Sequence, residues 1–335
     1  MGKWWSALFG IVMLACLGMF MVAPFVPTWW LPEGVSTHSG QVDALFYIIL
    51  YITGFFFVLT EALLVYFMYK YAGQPGTTPR PTEPAAQGGF YAMLHRWFPD
   101  AHRVEVAWTI VPALILLFIA FAQVPTWLEI KDRSRKPAIG GEKTPIQCHV
   151  SARQFEWRVR YPSSQRLRNW QTFTTNEKTI ADFKSFASFD GAKPRHPHLD
   201  DVPVVNEVHT WKGQTILVQL NTIDVIHSFN VPHMRVKQDA LPGRTIPVWF
   251  TPTKANTRYN EETKRWEDAF NFTTGKPDMG YRWEIACAEL CGWGHHRMIG
   301  RIYVHENKAD FYRWLEHVEQ SQAPPTKPQQ KVAAR

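Results

Sequence analysis

Twelve residues near the C-terminal end carry the chain's densest set of metal-binding side chains. They run from Cys287 to Met298, CAELCGWGHHRM, with two cysteines, a histidine and a methionine at positions 1, 5, 9 and 12. Thiolate, imidazole and thioether are soft or borderline donors, the kind that suit copper. Upstream, His227 stands alone in the segment DVIHSFNVP. Two thiolates four residues apart can be presented by one loop to the same pair of ions, each sulfur bridging both. His227 and His295 then cap the pair, one per ion. The Met298 thioether and a backbone carbonyl, that of Glu289 between the cysteines, complete the set. Spreading one electron over two ions keeps the geometric change at each small, which suits electron transfer.

Other chemistries compete for these residues. Zinc takes four nitrogen or sulfur ligands in a tetrahedral array, which Cys287, Cys291, His295 and another histidine would supply, but it has little use for Met298. A mononuclear blue-copper site uses one cysteine, two histidines and a weak axial methionine, and the second cysteine argues against it. A Cys287–Cys291 disulfide is conceivable outside the cytoplasm and leaves His295 and Met298 unexplained. His296 reads as a surface histidine. Of the remaining cysteines, Cys16 lies in an apolar run and Cys148 reads as a small buried residue, so a disulfide framework is not expected.

Residues 129–335 must position these ligands. At 335 residues the chain has room for about two domains, and its two parts differ in kind. Residues 1–128 carry five Lys or Arg and six Asp or Glu, whereas residues 129–335 carry 31 and 23, a net of +8. That is a membrane part followed by a water-soluble part. The basic charges are scattered without a nucleic-acid motif, so no nucleic-acid partner is expected.

Residues Trp4 to Val26 hold no charge and follow Lys3. Residues 1–30 therefore read as an N-terminal transmembrane helix or a signal segment. The run exceeds an ordinary signal core and lacks a small-residue cleavage site. Residues 42–128 read as a two-helix anchor with spans at about 44–69 and 104–128, each long enough to cross a bilayer. The loop between them carries Lys70, Arg80, Arg96 and Arg103, which places it on the cytoplasmic side and residue 129 onward outside. Glu61 lies within a span, where ionisable residues face protein or water rather than lipid. Glu105, with Pro112, marks the start of the last span; by spacing alone it is an acid favoured by the helix dipole. Residues 129–320 alternate short apolar segments with turn signals, as in a β-sandwich or small barrel. Expected strands are 146–151, 155–161, 216–221, 225–229, 248–250, 283–286 and 299–304, with 252–280 as a surface loop and 308–318 as a closing helix. Residues 321–335 read as a disordered tail.

These residues also carry a family resemblance. CAELCGWGHHRM resembles the binuclear copper loop of cytochrome c oxidase subunit II, and DVIHSFNVPHMRVKQDALPGR resembles that family's first-ligand segment. VEVAWTIVPALIL is similar to the start of its last membrane helix, and QFEW at Gln154 to Trp157 resembles its aromatic strand where electrons enter. The resemblance implies a membrane-anchored all-β protein: two to three transmembrane helices followed by a cupredoxin-like β-sandwich. It implies that His227, Cys287, Glu289 through its carbonyl, Cys291, His295 and Met298 hold two copper ions. The Glu289 side chain would contribute to a magnesium site shared with subunit I, which carries the oxygen-reducing centre. Glu105 would stand at a proton-channel mouth. Electrons would enter from a cytochrome c donor at Phe155 or Trp157. Many members have tryptophan where this chain has Phe155, and the net positive charge of residues 129–335 predicts an acidic or near-neutral donor. The implied location is the bacterial cytoplasmic (inner) membrane, with the copper domain on the periplasmic side and other oxidase subunits as partners. The competing functions are a copper-free quinol-oxidase subunit, which the full ligand set opposes, and a membrane-tethered copper-binding or assembly protein.

Overall fold

The computed structural model describes residues 2–26, 29–70, 101–131, 144–172, 177–187 and 200–322. The expected cytoplasmic loop, at 71–100, and the tail after 322 lie outside the described residues. The chain divides into two compact units, Met1–Leu31 with Gln41–Trp127, and Pro32–Gly40 with Leu128–Arg335.

Among the described residues three helices are long and apolar enough to cross a membrane: α1 (Gly2–Val22), α2 (Ser39–Lys70) and α3 (Ala101–Lys131). They are apolar on all sides, as a helix surrounded by lipid must be. In α2 the Thr53 and Thr60 hydroxyls donate to the carbonyls of Ile49 and Phe56, one turn back, which satisfies them without water. The helix α3 begins earlier than the apolar run, so Pro112 and Pro125 fall in its interior rather than at its start. Membrane helices tolerate such prolines because neighbouring groups and local adjustments take up the freed carbonyl. Glu61 lines an apolar cavity of about 290 Å³ between α1 and α2.

The second unit is a sandwich of two five-stranded sheets. One contains β1 (Ile146–Arg153), β2 (Glu156–Tyr161), β3 (Val202–Val205), β5 (Ile216–Thr222) and β8 (Ile246–Phe250), in the order β3-β2-β1-β5-β8. The other contains β4 (Glu207–Trp211), β6 (His227–Val231), β7 (Val236–Ala240), β13 (Glu284–Cys287) and β14 (Ile299–His305), in the order β4-β14-β13-β6-β7. Within each sheet one pair is parallel, β1 with β5 and β4 with β14, and the other pairs are antiparallel.

Side-chain alternation explains the layers. In β2, Trp157, Val159 and Tyr161 point inward and are buried, while Arg158 is exposed. The Trp157 ring meets Phe229 of the opposite sheet edge-on at 5.5 Å. Asn206, at φ +61°, lies where the chain leaves β3 for β4. Its side chain accepts from the Trp157 amide at 2.8 Å and its carbonyl from the Arg301 amide at 2.8 Å, so one residue ties both sheets. Asn is among the few side chains that adopt this left-handed conformation readily.

Three features differ from the sequence expectation. Pro32–Gly40 packs with the sandwich: Val35 is buried and the Ser36 hydroxyl donates to the Met234 carbonyl at 2.7 Å. The stretch 252–280 is structured, with hairpins β9 (Arg258–Asn260) to β10 (Arg265–Glu267) and β11 (Phe270–Asn271) to β12 (Lys276–Pro277). Buried Asn256 anchors it by donating to the carbonyls of Tyr281 and Ile302 and accepting from the Val304 amide. Two further helices, α4 (Ser164–Thr172) and α5 (Glu177–Ala187), follow β2, and the closing helix α6 runs from Lys308 to Gln322.

Candidate metal centre

Strand β13 ends at Cys287 and β14 begins one residue after Met298, so the twelve-residue run connects two neighbouring antiparallel strands. Its ends are joined: the Cys287 amide donates to the Met298 carbonyl at 3.2 Å. Inside it, the His295 amide donates to the Gly292 carbonyl at 3.1 Å and the Met298 amide to the His295 carbonyl at 3.2 Å. These turns fold the loop back, so that residues four and seven apart face one centre. His227 opens β6, which pairs with β13 through Phe229 and Cys287.

The side chains converge. Cys287 Sγ lies 3.8 Å from His227 Nδ1 and 3.8 Å from Cys291 Sγ. Cys291 Sγ lies 3.5 Å from His295 Nδ1 and 4.0 Å from Met298 Sδ, and Cys287 Sγ lies 3.2 Å from the Glu289 carbonyl. Two bonds of about 2.0–2.3 Å at a tetrahedral angle separate their donor atoms by roughly 3.3–3.8 Å. The spacings between thiols and imidazoles are therefore those of donors sharing metal ions. They are far from the disulfide distance of about 2.05 Å, and both thiols are free. The residues fit a soft metal: two thiols, two imidazole nitrogens, a buried thioether and a carbonyl face one another.

Neighbouring groups fix the donors. Asp224 Oδ1 sits 2.8 Å from His227 Nε2, which leaves Nδ1 for the centre. A ligating histidine is ordinarily oriented in this way by a partner at its other nitrogen. Partial burial works to raise the Asp224 carboxyl, but the Gln154 amide, the His227 ring, the Val225 amide and the Thr222 hydroxyl together hold it below its ordinary value. The Gln154 side-chain amide donates to the Cys291 carbonyl. Burial, and then the adjacent Cys287, push the Cys291 thiol up to about 11. In the metal-free protein this thiol is protonated at neutral pH, and metal binding must release the proton.

Two glycines make the loop's shape possible. Gly292 has φ +128°, a region that side chains rarely enter. A Cβ on Gly294 would lie 2.4 Å from Cδ2 of Phe155, because the Phe155 ring rests on this glycine. Phe155 also meets Trp293 edge-on at 5.1 Å.

Of the residues marked out by sequence, His227, Cys287, the Glu289 carbonyl, Cys291, His295 and Met298 come together. His296 is exposed, and so is the Glu289 side chain. Phe155 is half-buried over the loop. Trp157 is fully buried beneath it, 6.3 Å from the His227 ring. Glu105 lies in α3, an exposed carboxylate 3.9 Å from His102 Nδ1. Cys148 occupies the buried position expected of it. Asp224 and Gln154 were not singled out for this site; Asp three residues before an isolated histidine was the available signal for the first.

Comparison with known proteins points to one family. The family Cytochrome C oxidase subunit II, periplasmic domain, matches residues 150–263, and its transmembrane-domain counterpart matches residues 91–125. The chain is similar to the cytochrome c oxidase subunit II family. The periplasmic-domain match includes His227 and stops before Cys287. The alternative cytochrome c oxidase subunit 2 of Bradyrhizobium diazoefficiens is 25% identical over 91% of this chain and 90% of its own length. The probable cytochrome c oxidase subunit 2 of Rickettsia conorii is 28% identical over 63% of this chain and 52% of its own. Among solved structures, the periplasmic domain of subunit II of cytochrome oxidase from Bradyrhizobium japonicum is 21% identical. It covers 53% of this chain and 96% of that one, with a TM-score of 0.33. Members of the family are subunits of an oxidoreductase complex of the membrane, and a role in electron transport and respiration follows for this chain.

Proposed function

We propose that this subunit takes electrons from a cytochrome c on the periplasmic side of the bacterial inner membrane. It would pass them to subunit I, where oxygen is reduced to water with proton translocation. The observation that carries this reading is the convergence of His227 of β6 with four side-chain donors and one carbonyl of a loop closed on itself. His227, Cys287, Cys291, His295, Met298 and the Glu289 carbonyl would hold two copper ions. When bound, such a pair supplies a one-electron redox couple. The protein's own part is to keep the donors still. Asp224 orients His227, Gln154 holds the Cys291 carbonyl, Phe155 packs on Gly292 and Gly294, and Trp157 packs near the His227 ring. Rigid donors suit electron transfer because little has to rearrange when the charge changes.

The exposed Glu289 carboxylate would contribute to a magnesium site at the boundary with subunit I, and Glu105 would serve the mouth of a proton channel. The net charge of +8 on residues 129–335, from 31 basic and 23 acidic residues, favours an acidic or near-neutral donor, since opposite charge speeds encounter.

Copper loading of the purified full-length chain, followed by near-infrared absorption and EPR spectroscopy, tests this. The expected result is one signal whose hyperfine structure is shared by two copper nuclei. A mononuclear signal, or none, overturns the reading.

A further inference from the structure

The exposed surface over the site carries a residue that the family resemblance does not single out. Trp293 is 79% exposed. Among the described residues of the β-unit it is the only exposed tryptophan; Trp157, Trp170, Trp211, Trp249, Trp283 and Trp314 are buried. A large apolar ring held in water on a structured loop calls for an explanation, because tryptophan is highly buried on average and is enriched where proteins dock.

Its position supplies one. Trp293 stands between Cys291 and His295, two residues from each. Its own amide joins it to Gly292, whose carbonyl accepts from the His295 amide at 3.1 Å. One covalent step and one hydrogen bond thus lead from Trp293 to the backbone of a ligand. Its ring also meets Phe155, which lies against Gly292 and Gly294 of the same loop. The two aromatics expected from sequence are less accessible. Trp157 has no exposed surface, and Phe155 is only half-exposed. Leu290, also 79% exposed, adds a second apolar side chain on the loop.

We infer that Trp293 is the residue a haem-protein donor touches and through which its electron reaches the site, with Phe155 as the support that holds the indole in place. The inference rests on the proposed function. The step is a transfer of one electron: the donor's iron goes from ferrous to ferric, the metal site gains that electron, and no bond forms or breaks. Trp293 itself ends the step unchanged.

The test uses the assembled oxidase carrying Trp293→Ala and, separately, Trp293→Phe. Two readouts are taken: the affinity of a cytochrome c for the complex, metal-loaded and metal-free, by surface plasmon resonance, and the electron-transfer rate within the bound pair after a laser flash. In Trp293→Ala, affinity should fall about tenfold or more in both metal states, the loss typical of a central interface tryptophan. The bound-pair rate should fall about tenfold, with the near-infrared copper absorption intact. Trp293→Phe should recover most of both. A bound-pair rate within twofold of wild type in Trp293→Ala overturns the inference, whether or not affinity changes. If the wild-type complex lacks the two-copper signature, it is the proposed function that fails. If a small-molecule reductant and the donor both reduce Trp293→Ala normally, only the role of Trp293 fails.

Discussion

Two buried histidines of the same sheet, His227 in β6 and His209 in β4, have opposite surroundings. His227 is held at one ring nitrogen by Asp224 and presents the other to Cys287 at 3.8 Å. His209 has both nitrogens engaged within the protein: Nδ1 lies 3.1 Å from His305 Nε2 and Nε2 lies 3.3 Å from Glu207. Its two faces are covered by Trp314 at 3.6 Å and Tyr303 at 4.3 Å, both nearly parallel to it. His305 closes β14, at the other end of the strand that begins beside Met298. One end of this strand adjoins thiol, imidazole and thioether groups that face one another. The other ends in a histidine pair that shares one hydrogen bond: His209 has both nitrogens engaged, while His305 Nδ1 faces no polar partner among the described residues. Burial alone therefore does not mark a ligand, and neither does a spare ring nitrogen; what marks His227 is that its spare nitrogen faces a thiol.

The largest expected effect separates the two ends outright. Cys291→Ser should abolish the two-copper EPR signal and oxidase turnover while leaving thermal unfolding of the metal-free chain close to wild type. A strongly lowered metal-free midpoint would show that the cysteine serves the fold instead. Next is His209→Ala, which empties the space between Trp314 and Tyr303 and leaves His305 unpaired. It should cost about 2–4 kcal/mol in urea unfolding with the copper signal unchanged, and a lost signal would couple the two ends. Asp224→Asn should weaken copper binding by roughly 10–100-fold, the usual cost of losing a ligand's orienting partner, as read by competition with a chelator.

A further expected effect is in the pH dependence. Burial holds His209 well below the ordinary histidine range, and burial followed by the nearness of His209 does the same to His305. Above the unfolded-state value of about 6.5 both are neutral in either state, and pH does not matter. As pH falls below it, the unfolded chain takes up protons that the native pair refuses, and stability is lost toward the depressed native values. The slope should approach about 1.4 kcal/mol per pH unit for each histidine. Urea unfolding between pH 7.5 and 5 reads it, and His305→Asn should flatten it; an equal slope in that variant would assign the effect elsewhere.

The two ends also differ in how much the sequence reveals. The run Cys287 to Met298 is legible because its donors are contiguous and their chemistry is rare. His209 and His305 sit in EVHTW and YVHEN as ordinary strand residues. Only the parallel pairing of β4 with β14, which sets His209 beside Tyr303, brings them together, and parallel partners far apart in sequence leave no local mark. Strand β7, VKQDA, buries just its two ends, so its alternation is too weak to read. The stretch 252–280 is polar in composition, yet Asn256 is wholly buried because three hydrogen bonds to β14 and its neighbours replace water. The anchor helices were legible from apolar length. Their earlier starts were not, since polar flanking residues extend a helix without changing its hydropathy.

The support beneath the ligand loop has a consequence for anyone wishing to move this centre. The loop closes its own ends, but Gln154 grips the Cys291 carbonyl and Phe155 fills the space that the bare backbone of Gly294 leaves. The Gln154 amide in turn donates to Asp224, which aims His227. The smallest portable unit is therefore three pieces of chain: the bend between β1 and β2, the segment Asp224 to His227, and the loop. A twelve-residue graft into another β-sandwich would carry five of the six donors and leave behind the mould that shapes them.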